Sequence, residues 1–280
     1  MIKKLTFTLL LTCGVLFSIF AKSPKALIIT GQHNTHNWAV SHLVLNELLQ
    51  EDGFKVDIAM SPKQGEDMSK FNPNFNKYDL VVMDYNGDMW CDEMKDGFID
   101  YLQKAKGGLF LYHAANTIFR DWEEYQKVTA LGAFGGRGEQ TEGYYTTWKD
   151  GGMVKYEDRG VVGHHGERHD FIITCRYEGH PAVDPTLPKE ALQLHDEIYD
   201  QTKGPANIKD VLYTAFSDLE TGGTGREEIL IFTVDYGEAR IFHSMIGHAG
   251  DSLEDSPALT SETFKKTFLA GARWAANINK

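Results

Sequence analysis

Apolar and polar positions along the first 115 residues switch between two periods. Lys25–Thr30, KALIIT, is an apolar, β-branched run that stops at Gly31 and reads as a buried strand. Asn37–Gln50 places Trp38, Val40, Leu43, Leu45, Leu48 and Leu49 at mostly helical spacing, and Gly53 stops it. A second strand is predicted over 55–60, KVDIAM, a proline- and asparagine-rich loop over 61–77, and a third strand over 78–84, YDLVVMD. Glu93–Ala105 turns Met94, Phe98, Ile99 and Leu102 to one face of a helix. Gly107–Gly108 breaks that helix, and GLFLY follows as a fourth buried strand ending on His113.

Beyond residue 132 the pattern is less regular. HDFIITC (169–175) and DVLYTAF (210–216) read as strands. Residues 227–247 read as a β-hairpin around Tyr236–Gly237, and 261–278 as a closing amphipathic helix. Strands alternating with helices imply an α/β fold with a mostly parallel sheet flanked by helices and joined by right-handed crossovers. No repeat and no clear linker interrupts the chain, so residues 22–280 are expected to form one domain with a glycine-rich insertion near 132–166.

The first 21 residues follow a different rule. Lys3 and Lys4 precede the apolar run Leu5–Phe20, and Ala21 supplies a small residue at the end. This is the pattern of a secretory signal peptide, with an uncleaved anchor as the alternative and no stable span in the mature chain. Periplasmic or secreted localisation is the expectation. Cys91 and Cys175 remain after it. A disulfide is permitted outside the cytoplasm, but their spacing matches no metal motif and buried free thiols are the simpler reading.

Composition narrows the partners. The chain is 42% hydrophobic and carries a net charge of −12, so it can bury a core and its surface repels phosphate backbones. Nucleic acid is excluded as a partner. The first strand ends in Gly-Gln-His, which is not a dinucleotide fingerprint, and GAFGGRGEQ (132–140) lacks the Gly-Lys-Ser/Thr of a phosphate loop. No NAD and no nucleotide is expected.

In open parallel sheets ligands bind outside the carboxyl ends of the strands. That rule gathers His33, His36 and Trp38 after the first strand, His113 and Asn116 after the fourth, and His248 after the hairpin. His113 occupies a tight strand-to-helix turn with only Ala114 and Ala115 behind it, the place where related architectures present a nucleophile. An imidazole there suits acid/base work or metal ligation. The pair His33 and His36 can ligate metal or contact hydroxyls; alternatively Asn34, Thr35 or Asn37 simply caps a helix. Trp38 can stack on a sugar or lie in the core. In LHDEIY (194–199), His195 and Glu197 share one face of an extended segment and Asp196 takes the other. Arg137 can clamp hydroxyls or brace its loop. His243 reads as a core histidine, His180 as a loop-fixing residue, and GHHGERHD (163–170) as a surface loop rather than a zinc site.

GQHNTHNW, FLYHAAN, FGGR, GHPAV, DEIY and ARIFHSMIGH fall in the order and spacing of the ThuA-like (trehalose utilization) proteins. The resemblance spans about Lys25 to Ile278. It implies a flavodoxin-like sheet similar to class I glutamine amidotransferases, and a role in carbohydrate utilization beside oxidoreductases that make 3-keto-glycosides. His113 stands at the nucleophile position of that fold, which speaks against glutaminase chemistry. The reading is therefore an enzyme on glycosides or 3-keto-glycosides, working by acid/base or metal-assisted elimination, isomerisation or hydrolysis. His113, Glu197 and His248 are the candidate catalytic residues and candidate ligands of a divalent metal. His33, His36, Trp38, Asn116, Arg137, Asp196 and His195 are the candidate contacts to a small carbohydrate. The alternatives are a non-catalytic sugar-binding module and a partner of a sugar oxidoreductase.

Overall fold

A computed structural model of the chain describes residues 23–32, 36–133, 143–157 and 160–278. The 1–21 segment, His33 and Arg137 lie outside the described residues. The first half runs β1 (Lys25–Gly31), α1 (Trp38–Glu51), β2 (Lys55–Met60), β3 (Leu80–Tyr85), α2 (Asp92–Gln103), β4 (Gly108–Tyr112) and α3 (Glu123–Thr129). The second half runs β5 (Tyr144–Lys149), β6 (Gly152–Tyr156), β7 (His164–His165), β8 (His169–Cys175), β9 (Glu190–Asp196), β10 (Tyr199–Asp200), β11 (Lys203–Gly204), β12 (Ile208–Ser217), β13 (Arg226–Val234), β14 (Ile241–Ser244), α4 (Pro257–Thr260) and α5 (Glu262–Ala275).

The strand order across the main sheet is β2-β1-β3-β4-β14-β13-β12-β8-β9. Strands β2, β1, β3, β4 and β14 are parallel neighbours, and this block is the parallel sheet that the strand–helix alternation predicts. From β14 onward the pairing turns antiparallel, through β13, β12, β8 and β9. β13 and β14 are the expected hairpin, and it joins the two blocks. The insertion folds as the β5/β6 hairpin, paired to β13.

Burial explains which strands hold the centre. β3 and β4 are buried at every position, because parallel strands covered on both faces must be apolar throughout. β2 is mostly exposed and lies at an edge. Phe110 of β4 packs against Phe242 of β14 and Phe268 of α5, each at a centroid separation of 4.9 Å. α5 begins at Ser261, whose Oγ accepts the Phe264 amide, and that cap sets which helix face reaches the sheet. Cys91 and Cys175 are both free thiols.

A candidate metal centre at the carboxyl ends of the parallel strands

The site is built by four segments that are distant in sequence. Asn37 caps α1, its Oδ1 accepting the Ala39 amide at 3.1 Å, while its own amide donates to the Ala249 carbonyl at 3.2 Å. Capping and site placement thus coincide: the residue that starts the helix also holds His36 beside the loop that carries His248.

His113 follows β4 with φ of +44°, a conformation costing on the order of 1–3 kcal/mol that the surrounding packing must hold. Its ring is fully buried, and Nδ1 donates to the Met245 carbonyl at 2.6 Å. That hydrogen bond fixes the tautomer and leaves Nε2 as a lone pair facing the site.

His248 follows Gly247, whose φ is +111° and whose missing Cβ would lie 2.4 Å from the Phe264 ring. Asp196 clamps this corner. It is fully buried and accepts from the amides of Gly247 (2.6 Å), His248 (3.1 Å) and Glu197 (2.9 Å) and from Gln193 Nε2 (2.7 Å). Glu197 follows directly at the end of β9.

The four side chains converge. His36 Nδ1 lies 2.9 Å from His248 Nδ1 and 3.1 Å from His113 Nε2, and His248 Nδ1 lies 2.5 Å from Glu197 Oε1. One ligand atom from each of His36, His113, Glu197 and His248 falls within 4.8 Å of all the others, and this is the one such group among the described residues. Two ligand atoms about 2.1 Å from a common ion are at most about 4.2 Å apart, so shifts of tenths of an ångström admit a divalent ion. Three imidazoles and a carboxylate suit a borderline ion such as zinc or a first-row relative.

Electrostatics agree with the donor set. Burial pushes the His113 imidazole below its usual range, against the pull of Glu197 and Asp196, and keeps it neutral. Burial alone would raise Glu197. The hydrogen bond from His248 and the surrounding imidazoles outweigh it, and hold the carboxyl down at about 2. Neutral imidazoles and an ionised carboxylate are the forms that bind metal.

Tyr199 closes the inner side. Its buried hydroxyl lies 3.1 Å from His36 Nε2 and 3.3 Å from His113 Nε2, and burial raises it well above the usual phenol range. His165 Nε2 approaches Glu197 Oε2 at 3.4 Å. Above these groups opens a cavity of about 1010 Å³, lined also by Trp38, Thr117, Arg168, His195, Asp251 and Glu254.

The sequence-predicted residues divide accordingly. His36, His113, Glu197 and His248 come together, with Trp38 and His195 on the cavity wall. Asp196, expected as a sugar contact, is fully buried and does not line the cavity; its carboxylate accepts from the loop amides and Gln193 instead. Asn116 is fully buried in the turn 113–117 and does not line this cavity; among the described residues its amide has no hydrogen-bond partner. GHHGERHD is not a plain surface loop, since His164–His165 pair with Tyr199–Asp200 and bring His165 to Glu197. The alternation rule applied to His195 and Glu197 points also to Tyr199, two residues further on, although His195 itself departs from extended backbone at φ +39°.

Comparisons with known proteins agree with this architecture. The chain matches the ThuA family, described as trehalose utilisation, over residues 25–275. The chain belongs to the ThuA family. A solved ThuA-like protein from Parabacteroides merdae ATCC 43184 is 49% identical, with a TM-score of 0.87 over 91% of this chain and 90% of that one. A second ThuA-like protein, from Bacteroides uniformis ATCC 8492, is 18% identical, with a TM-score of 0.58 over 91% and 93% of the two chains, and shows the shared fold. The cytoplasmic protein STM3548 from Salmonella typhimurium shares the fold more loosely, at 13% identity and a TM-score of 0.51 over 90% and 98%. No curated protein matches the chain. The ThuA membership suggests a sugar-utilisation role. Among the described residues no helix is long and apolar enough to cross a membrane.

Proposed function

We propose that this ThuA protein is an exported carbohydrate-utilisation enzyme that transforms glycosides or 3-keto-glycosides at a divalent metal held by His36, His113, Glu197 and His248. The observation that carries the reading is the convergence of three imidazoles and one carboxylate under an open polar cavity. A divalent ion in that position supplies Lewis acidity toward a carbonyl or hydroxyl oxygen of the sugar.

The chain's own groups supply the rest. A keto group acidifies the neighbouring C–H, and a positioned base removes that proton. His165 lines the cavity; its Nδ1 donates to the Gly166 carbonyl at 2.7 Å, and its Nε2, beside Glu197, is the base this reading assigns to the transfer. Tyr199 keeps its proton, and its hydroxyl orients His36 and His113. The Trp38 indole offers an apolar face to the C–H side of a pyranose, while Asp251 and Glu254 accept from hydroxyls.

The test is metal analysis of the purified protein, with turnover of glucosides and 3-keto-glucosides measured with and without chelator. Near-stoichiometric metal and chelator-sensitive turnover are expected. Metal-free protein that turns over sugars replaces the metal reading with histidine acid/base chemistry. Protein that binds sugars and converts none replaces the enzyme with a sugar-binding module.

A further inference from the structure

A second cavity, of about 550 Å³, lies behind the β7/β10 ribbon. In that ribbon Tyr199 pairs with His165 and Asp200 pairs with His164. Successive side chains of a strand point to opposite faces. His165 and Tyr199 therefore face the metal-centre cavity, while His164 and Asp200 belong to the other face.

That other face is a built hydrogen-bonding array. Asp200 is fully buried and accepts from Ser217 Oγ at 2.9 Å and from His164 Nδ1 at 2.9 Å. The second bond places a proton on Nδ1 and leaves Nε2 of His164 as an acceptor at the cavity. Glu228 of β13, 3% exposed, sits across the ladder from Thr147 of β5 and accepts from Thr224 Oγ1 at 2.7 Å. Burial pushes its carboxyl up to about 7, so near neutrality about half of it is present as the acid, able to donate as well as accept. Gln201 adds a side-chain amide on the wall.

The chemistry of this array selects its ligand. Of the described residues on the wall one is a cation, Arg226, stacked over the Tyr156 ring, against the carboxyl groups of Glu228 on the wall and Asp200 in the array; the rest are hydroxyls, an amide and an imidazole, so no excess of positive charge gathers for a phosphate. Among the described residues no set of metal-ligand spacing forms here. Hydroxyl, amide, imidazole and carboxyl groups around one cavity supply both donors and acceptors, and match the hydroxyl groups of an uncharged polyhydroxylated molecule. We infer that the cavity behind the ribbon is a second binding site, for a neutral sugar or polyol, separate from the metal centre and sharing the β7/β10 ribbon with it. The choice of sugars as probes rests on the proposed function; the cavity's hydrogen-bonding chemistry does not.

Hydrogen exchange of the full chain, with and without saturating glucose or trehalose, tests the inference. Slowed exchange over 144–149, 200–204 and 222–228 is expected. Protection confined to 36–38 and 248–251 overturns the second site and leaves the proposed function standing; no protection in either region also overturns it. Thr224→Val and Gln201→Leu should each raise the sugar concentration that half-protects 222–228 about ten-fold, the scale of one lost hydrogen bond to a ligand. An unchanged midpoint in folded variants overturns the inference as well.

Discussion

Glu197 is the one carboxylate among the four converging groups, and its lowered proton affinity comes from its imidazole neighbours. Glu197→Gln keeps the shape and removes the charge. We expect bound metal, read by elemental analysis of purified protein, to fall at least ten-fold while the circular dichroism spectrum stays native. Asp84 makes the opposite case at residue scale. It is buried at the end of β3, accepts from Thr30 Oγ1 at 3.0 Å and from Ser41 Oγ at 2.9 Å, and burial pushes its carboxyl up to about 8. Between its unfolded value of 3.8 and about 8 the folded chain holds a proton that the unfolded chain has lost. Stability from this group is therefore present at low pH and drains away as pH rises through that window. Asp84→Asn removes the ionisation. Its melting temperature should exceed that of the wild type by several degrees at pH 8.5, and the difference should shrink steadily as pH falls toward 4.

At the scale of elements, the corner between β14 and α4 decides where His248 points. Asp196→Ala strands the amides of Glu197, Gly247 and His248 and the Gln193 side chain, each buried donor costing about 1–3 kcal/mol. Denaturant unfolding should report a loss of roughly 3 kcal/mol or more. Gly247→Ala forces a Cβ into the Phe264 ring at a left-handed φ, and should lower both stability and metal content. These elements show what the sequence makes legible. Strands β1, β3 and β4 and helices α1, α2 and α5 follow local periodicity, and the carboxyl-end rule gathers His36, His113 and His248 without coordinates. Helix α3 escapes, because EEYQKVT is short and only Tyr125 and Val128 of its apolar residues reach the core. The roles of Asp196, Asn116 and His165 escape for another reason. Whether a polar side chain at a strand end faces the cavity or the interior depends on twist, bulges and positive-φ residues such as His195, at +39°, which no pattern of residue types encodes.

The whole molecule joins a parallel block to an antiparallel one, and the candidate centre takes ligands from both: His36, His113 and His248 from the first, Glu197 from the second. An ion bound there binds only the folded chain, so its removal should cost stability as well as turnover. Chelation should lower the melting temperature of the wild type by several degrees, and added metal should restore it; Glu197→Gln should show little of this shift. The chain order of the four groups has a further consequence. His36 meets His248 across 212 residues of sequence, so the centre cannot close until nearly all of the polypeptide has been made and has come together. A product whose synthesis stops short of residue 248 lacks one of the four groups and has no such centre. The geometry of the four groups is thus a mark of a chain made and folded at least as far as residue 248.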